Sequence, residues 1–332
     1  MRWVKKIVTI VSILLIIYLL GPKPQTPIYN INLPIVPDNS AALINYIQAN
    51  EAAHKIKPDN EARIIWNNDS LKQKTEYDIV YLHGFSASQE EGNPVHKNIA
   101  KQFGCNLYLA RLSQHGIDTT DELQNLTADN YWESAKQAYA IGKELGDKVI
   151  LMGTSTGASL ALQLAATYPT DIAGLILMSP NIEINDPNAW ILNNHWGLQI
   201  ARMVVKSKYR DMKNKSNAYK QYWNTHYRLE SAVALEELLE TTMNKTTFNK
   251  VTQPTLVLYY YKDEQHQDNV VKVSAIKNMF NELATPANEK RLIAVPNAEN
   301  HVLGSPIQSK DIITPQKEIT AFLKEVINLP FQ

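Results

Sequence analysis

Lys148-Val149-Ile150-Leu151-Met152 leads without a break into Gly153-Thr154-Ser155-Thr156-Gly157, and Ala158-Ser159-Leu160-Ala161-Leu162 continues beyond it. The first five residues form a near-continuous apolar run, the pattern of a parallel strand buried on both faces. The residues from Ala158 to Thr167 read as a helix. A strand that enters a helix through Gly-x-Ser-x-Gly must turn sharply. That turn strains the serine backbone, and the glycines leave room for neighbouring backbone to pass close by. Ser155 is thereby presented at the top of a sheet, beside a helix N-terminus that favours developing negative charge.

Outward from this point the chain alternates. Strands are predicted over Glu61 to Trp66, Tyr77 to Leu82, Asn106 to Leu112, Ala173 to Met178, Thr255 to Tyr261 and Lys290 to Val295. Helices are predicted over Ser40 to Ala53, Val95 to Phe103, Ala128 to Leu145, Ser274 to Leu283 and Thr314 to Val326. Such alternation demands a mostly parallel sheet with helices on both faces, an α/β class. One interval breaks the rhythm. Asn181 to Lys250 offers no convincing buried strand but is rich in aromatic residues, among them Trp190, Trp196, Tyr219, Trp223 and Tyr227. It reads as a helical cap or lid inserted between two strands, over their C-terminal edge. The core is then expected over 39–180 and 251–332, with the cap at 181–250.

The N-terminus departs from this pattern. Arg2, Lys5 and Lys6 precede an uncharged run from Ile7 to Leu20, and five prolines follow between Gly21 and Pro37. Residues 1–22 are expected to act as a membrane anchor or signal segment, and 23–38 as a Pro-rich linker. As a helix, Trp3 to Leu20 would span roughly 27 Å at about 1.5 Å per residue. An uncleaved transmembrane signal-anchor with the basic end cytoplasmic would place the remainder in the periplasm or outside the cell. Cleavage would instead release a secreted protein.

Composition narrows the chemistry. The 332 residues carry 33 Lys+Arg against 33 Asp+Glu, which gives no long-range field for a polyanion and argues against nucleic acid as partner. The single cysteine, Cys105, excludes an intramolecular disulfide, and no Cys/His grouping has metal-site spacing. Neither a metal nor a cofactor is expected.

His83-Gly84-Phe85, Gly153 to Gly157 and Asn300-His301 occur in an order that resembles the α/β-hydrolases, and among them the carboxylesterases and monoacylglycerol lipases. The resemblance runs from about Glu61 to Val326 and is weakest across 181–250. It implies that Ser155 is the nucleophile and His301 the base, with the backbone N–H groups of Phe85 and Thr156 forming an oxyanion hole. Arg111 to Gly116 also resembles the family's loop after the fourth strand, although Gln114 stands where a glycine is usual.

The same roles follow from chemical need. A serine hydroxyl is a weak nucleophile at neutral pH, so a neutral imidazole must take its proton and return it to the leaving group. Of the eight histidines, only His301 follows the last predicted strand on a loop able to fold back over the sheet edge. His83 and His115 read as loop braces. For the acid that orients the imidazole, Asp263 lies two residues beyond Tyr261 and Asp268 lies seven beyond it. Asp268-Asn269-Val270-Val271 resembles the family's acid, one variable residue and two apolar residues, which favours Asp268, with Asp263 the alternative.

The expected activity is hydrolysis of a carboxylic ester, small or lipid, through an acyl-enzyme on Ser155. Peptidase or thioesterase chemistry on the same three residues, or a non-catalytic binding protein on this scaffold, are the alternatives.

Overall fold

The computed structural model describes residues 2–213 and 215–331. Its strands are β1 (Arg63–Ile65), β2 (Thr75–Leu82), β3 (Asn106–Leu109), β4 (Gly146–Thr154), β5 (Ile172–Met178), β6 (Tyr209–Asp211), β7 (His226–Arg228), β8 (Thr255–Tyr259) and β9 (Lys290–Ala294). Seven of them build one sheet in the order β1-β3-β2-β4-β5-β8-β9. Every pairing in it is parallel except that of β1 with β3.

Alternation along the central strands shows why both faces are covered. Val149 and Leu151 of β4 enter one apolar cluster, together with Val80, Leu82, Leu175, Leu177 and Val257. Ile150 and Met152 enter the other, with Ile79, Tyr81, Ile176, Met178, Leu256 and Leu258. Period-two side chains on a strand with no polar face need helices above and below. On the first face lie α2 (Ser40–Ala52), α4 (Ala128–Leu145), α5 (Thr156–Thr167) and α10 (Val273–Glu282); on the second lie α3 (Val95–Gln102) and α11 (Ile313–Glu325). Local signals set the ends of several of these. Thr127 caps α4 reciprocally with Asn130, and Asn39 caps α2 by accepting from the Ala42 N–H.

Between β5 and β8 the chain leaves the sheet to form α6 (Gly197–Val205), α7 (Asn217–Tyr222), α8 (Leu229–Thr242) and α9 (Lys245–Phe248). The antiparallel ribbon of β6 and β7 also belongs to this excursion, and it had not been expected.

The N-terminal expectation requires correction. A helix does form, α1 (Arg2–Leu19), but among the described residues no helix is long and apolar enough to cross a membrane. Arg2, Lys5 and Lys6 occupy its first turns, and the uncharged part from Ile7 to Leu19 extends only about 20 Å at about 1.5 Å per residue. The transmembrane signal-anchor, and the periplasmic or extracellular placement built on it, fall with that finding. The end of α1 rests on the insertion instead. Trp196 donates from Nε1 to the Ile17 carbonyl and from its backbone N–H to the Pro22 carbonyl, and His195 Nδ1 bonds the Gly21 carbonyl.

Residues 22–38 have almost no regular structure, yet part of the segment is tied down as a strap. Asp129 of α4 accepts from the N–H groups of Ile28 and Tyr29, and the Trp132 indole donates to the Asn30 carbonyl. Lys136, fully buried, donates to the Asn32 carbonyl, and Tyr168 to that of Ile31. At the strap's start the Tyr29 hydroxyl lies 2.6 Å from Thr241 Oγ1 of α8.

Candidate active site

The parallel strands β2, β4, β5, β8 and β9 end on the same edge of the sheet. The chain moves outward in one direction from β2 to β3, then in the other from β4 to β9, so the order reverses between β2 and β4. Crevices at such a reversal are where open α/β sheets take ligands. Phe85 stands just past β2 and Ser155 just past β4, astride it.

Ser155 has φ 54° and ψ −121°, a conformation disfavoured for any residue with a Cβ. Its surroundings impose it. The Ser155 N–H donates to the Met178 carbonyl of β5, while its own carbonyl accepts from Asn181 and from the first turn of α5. The flanking glycines are sterically required. A Cβ on Gly157 would lie 2.0 Å from the Leu82 carbonyl oxygen, and one on Gly153 2.6 Å from the Ala158 nitrogen. Glycine at 157 lets the elbow press against the end of β2, and glycine at 153 lets the strand end pass the start of α5.

The turn after β2 is clamped by three buried side chains. His83 Nε2 accepts from the Leu112 N–H at 3.0 Å while its Nδ1 bonds the Gly84 carbonyl. His115 Nε2 accepts from the Ser86 N–H at 3.0 Å, and its Nδ1 bonds the Ser113 carbonyl. In both rings Nε2 must be bare and Nδ1 protonated, the neutral tautomer. Burial enforces this, holding His83 down at about 4 and His115 well below the ordinary imidazole range. The third clamp is Glu91, in the turn Gln89–Gly92, whose Oε2 accepts from the Gly84 N–H at 2.6 Å. The N–H groups on either side of Phe85 are thus engaged. Those of Phe85 itself and of Thr156 have no hydrogen-bond partner among the described residues.

His301 lies on the loop between β9 and α11, and its Nδ1 is 2.6 Å from Asp268 Oδ2. The other oxygen of Asp268 accepts from the N–H groups of Val270 and Val271, at 2.8 and 3.2 Å, so the carboxylate is fixed from both sides. Asp268 is fully buried. Although burial pulls the imidazole pKa down, the Asp268 charge and hydrogen bond, with a smaller contribution from Glu91, raise it above its ordinary value. Among the described residues His301 Nε2 is buried and without a partner, and no hydrogen bond joins it to the Ser155 hydroxyl.

Asp263 is not part of this arrangement. It is exposed and pairs with His266 at 2.8 Å. The bridge between Tyr261 and Gln267, together with the Asp268 N–H donating to the Tyr260 carbonyl, closes the residues between them into a side loop. Asp268 therefore stands at the strand end in space, although it is remote from it in sequence.

Ser155, His301, Phe85 and Glu91 line one cavity of about 610 Å³. Its other wall comes from the insertion: Leu192, Tyr219, Trp223, Tyr227, Leu229 and Leu235 supply apolar and aromatic surface, and Arg210 and Lys215 two cations. Thr156, the first residue of α5, is fully buried beside Ser155 and is not among the lining residues. Sequence reasoning missed Glu91, because a carboxylate within Gln89-Glu90-Glu91 carries no periodic sign of burial. Among the described residues no group of acidic, histidine or cysteine side chains could hold a metal ion.

The sequence model of the family described as serine aminopeptidase, S33, matches residues 113–302. No curated protein sequence is detectably similar to the chain. Among solved structures, one from work on the metagenome-derived lipolytic enzymes LipS and LipT is 18% identical. It aligns over 82% of this chain and 100% of its own with a TM-score of 0.64. The monoacylglycerol lipase of Paleococcus ferrophilus is 14% identical over 81% of this chain and 98% of its own, TM-score 0.56. A soluble variant of the monoglyceride lipase from Saccharomyces cerevisiae is 12% identical over 81% and 91%, TM-score 0.58. At these identities the likeness establishes the α/β-hydrolase fold.

Proposed function

Because the chain belongs to the serine aminopeptidase S33 family of α/β-hydrolases, we propose that it hydrolyses carboxylic esters through an acyl-enzyme on Ser155. The observation that carries this reading is the Asp268–His301 hydrogen bond, which leaves an unpartnered Nε2 in the cavity that also holds the strained serine. Ser155 Oγ attacks the ester carbonyl carbon as His301 Nε2 takes its proton. The oxyanion is received by the N–H groups of Phe85 and Thr156, and the ester bond breaks as His301 protonates the departing alcohol. Water then repeats the sequence on the acyl-enzyme. Asp268 selects the tautomer with Nδ1 protonated and stabilises the imidazolium.

Residues 181–250 serve as a cap whose apolar wall receives the acyl chain of a small or lipid ester. The lipolytic enzymes among the structural neighbours support this choice of bond. Amide hydrolysis by the same residues is the second reading, favoured by the family's description as an aminopeptidase. The test is labelling of Ser155 by a fluorophosphonate, followed by a panel of nitrophenyl esters of increasing acyl length against aminoacyl nitroanilides. Turnover of the anilides alone would exchange the two readings, and a serine that is not labelled would remove both.

A further inference from the structure

We propose that Glu91 is a positioning residue of this site, whose carboxyl group fixes the oxyanion turn through Gly84 and sets a second negative charge beside the His301 imidazole. The inference rests on the reading of Ser155 and His301 given above.

Glu91 is 3% exposed and lies in a turn between β2 and α3, outside the triad. Its Oε2 is taken by the Gly84 N–H. A Cβ built on Gly84 would lie 3.0 Å from Glu91 Oε1 and 2.9 Å from Ser155 Cβ, so the carboxyl group and the serine flank the same glycine. The loop that carries His301 packs on the same turn, since a Cβ on Gly304 would meet Gly92 Cα at 2.8 Å and the Glu91 carbonyl at 3.1 Å. The Glu91 carboxyl group thus holds the oxyanion turn, while the backbone of Glu91 and Gly92 abuts the histidine loop.

Two effects follow. The Gly84 N–H bond to Glu91 fixes the residue before Phe85, and the Ser86 N–H bond to His115 fixes the one after it. The Phe85 donor is thereby held in place before substrate arrives, the condition under which such donors are most effective. The second effect is electrostatic. Burial pushes the Glu91 carboxyl up to about 7, against the opposing pull of the Gly84 N–H and of His301. His301, on the loop that abuts this turn, is the base whose imidazolium would be its counter-charge. The other titratable groups nearby are its neighbour Glu90, His96 of α3, which burial holds down at about 3, Lys215 on the far wall of the cavity, and the tyrosines Tyr81 from β2, Tyr131 from α4 and Tyr219 from α7, all three kept neutral by burial. A carboxylate here favours the imidazolium that forms as Ser155 is deprotonated.

Glu91→Gln and Glu91→Ala separate the two effects. Glutamine keeps an oxygen that accepts from Gly84 but carries no charge. Its kcat should fall ~10-fold with KM within threefold, and the acid limb of its kcat/KM profile should move to lower pH because the imidazolium has lost a stabilising charge. Alanine also releases the turn, and its kcat should fall to ~10²–10³-fold below the parent, the range seen when an oxyanion donor is lost. Fluorophosphonate labelling of the parent runs alongside. If the parent labels and turns over while both variants keep its kcat and pH profile, or lose only KM, the inference is overturned and the reading of Ser155 stands. If the parent does neither, both fall.

Discussion

The two walls of the cavity are built on opposite plans. The core wall presents backbone donors and a strained serine on turns whose groups are held by buried side chains, among them His83, His115 and Glu91. The cap wall presents side chains, Leu192, Tyr227 and Leu235 among them, from short helices and a two-stranded ribbon, with Met203 and Val204 of α6 left exposed. Its turns include Trp196 and Lys206, both in the left-handed region at the two ends of α6. On the proposed reading, chemistry belongs to the wall of backbone donors and selectivity to the wall of side chains, a division that loops on a fixed scaffold permit.

The comparison can be broken from the core side first. Ser155→Ala should lower ester kcat by about 10⁶ without loss of the folded circular-dichroism spectrum, since a missing nucleophile removes the acyl-enzyme route. Next, Asp268→Asn should lower kcat by about 10⁴ through the wrong imidazole tautomer, while Asp263→Asn should stay within about threefold of the parent in the same assay. A collapse in the second variant would reassign the acid. From the cap side, Leu192→Trp should cut kcat/KM for long-chain esters by about tenfold and leave acetate esters unchanged, as expected when only pocket volume is altered. Equal losses on both would show that the cap also shapes the chemistry. The acid limb of kcat/KM should lie above the ordinary imidazole value of about 6.5, because the base must be neutral and its folded pKa is raised. A limb below that value would argue that burial outweighs Asp268. Least of all, Asp129→Ala should cost about 1 kcal/mol by freeing two strap N–H groups, and lower Tm by about 1–2 °C in a scanning experiment.

What the sequence made legible follows the same division. The elbow could be read because an apolar strand buried on both faces, two glycines and a helix leave a dense local signature. The helix from Ala128 to Leu145 was legible because Trp132, Ala135, Tyr139 and Ile141 fall on overlapping faces, all of them buried in the structure. The ribbon of β6 and β7 was not, since two three-residue strands, one mostly exposed, have no room to alternate. For the acid, linear distance favoured Asp263, and only the closure of the loop between Tyr261 and Gln267 brings Asp268 to the strand end. Glu91 left no trace, because its burial is decided by Gly84 and by the histidine loop, neither of which is near it in a strand or helix period. The N-terminal run misled for the converse reason: apolar composition announces a helix more readily than it announces what the helix can span.

The strap has a consequence for how the cap can move. An insertion joined to its scaffold only by two chain crossings can swing about the line between them, as a door does on its hinges. Here the segment ahead of α2 adds attachments from outside that line's own sequence, at Thr241 through the Tyr29 hydroxyl and at His195 and Trp196 through the carbonyls of Gly21, Pro22 and Ile17. With α4 gripping the same strap, the cap is a roof propped from behind. On the proposed reading, access is then set by the fixed width of its eaves, and the size of an admitted ester becomes a matter of architecture instead of timing.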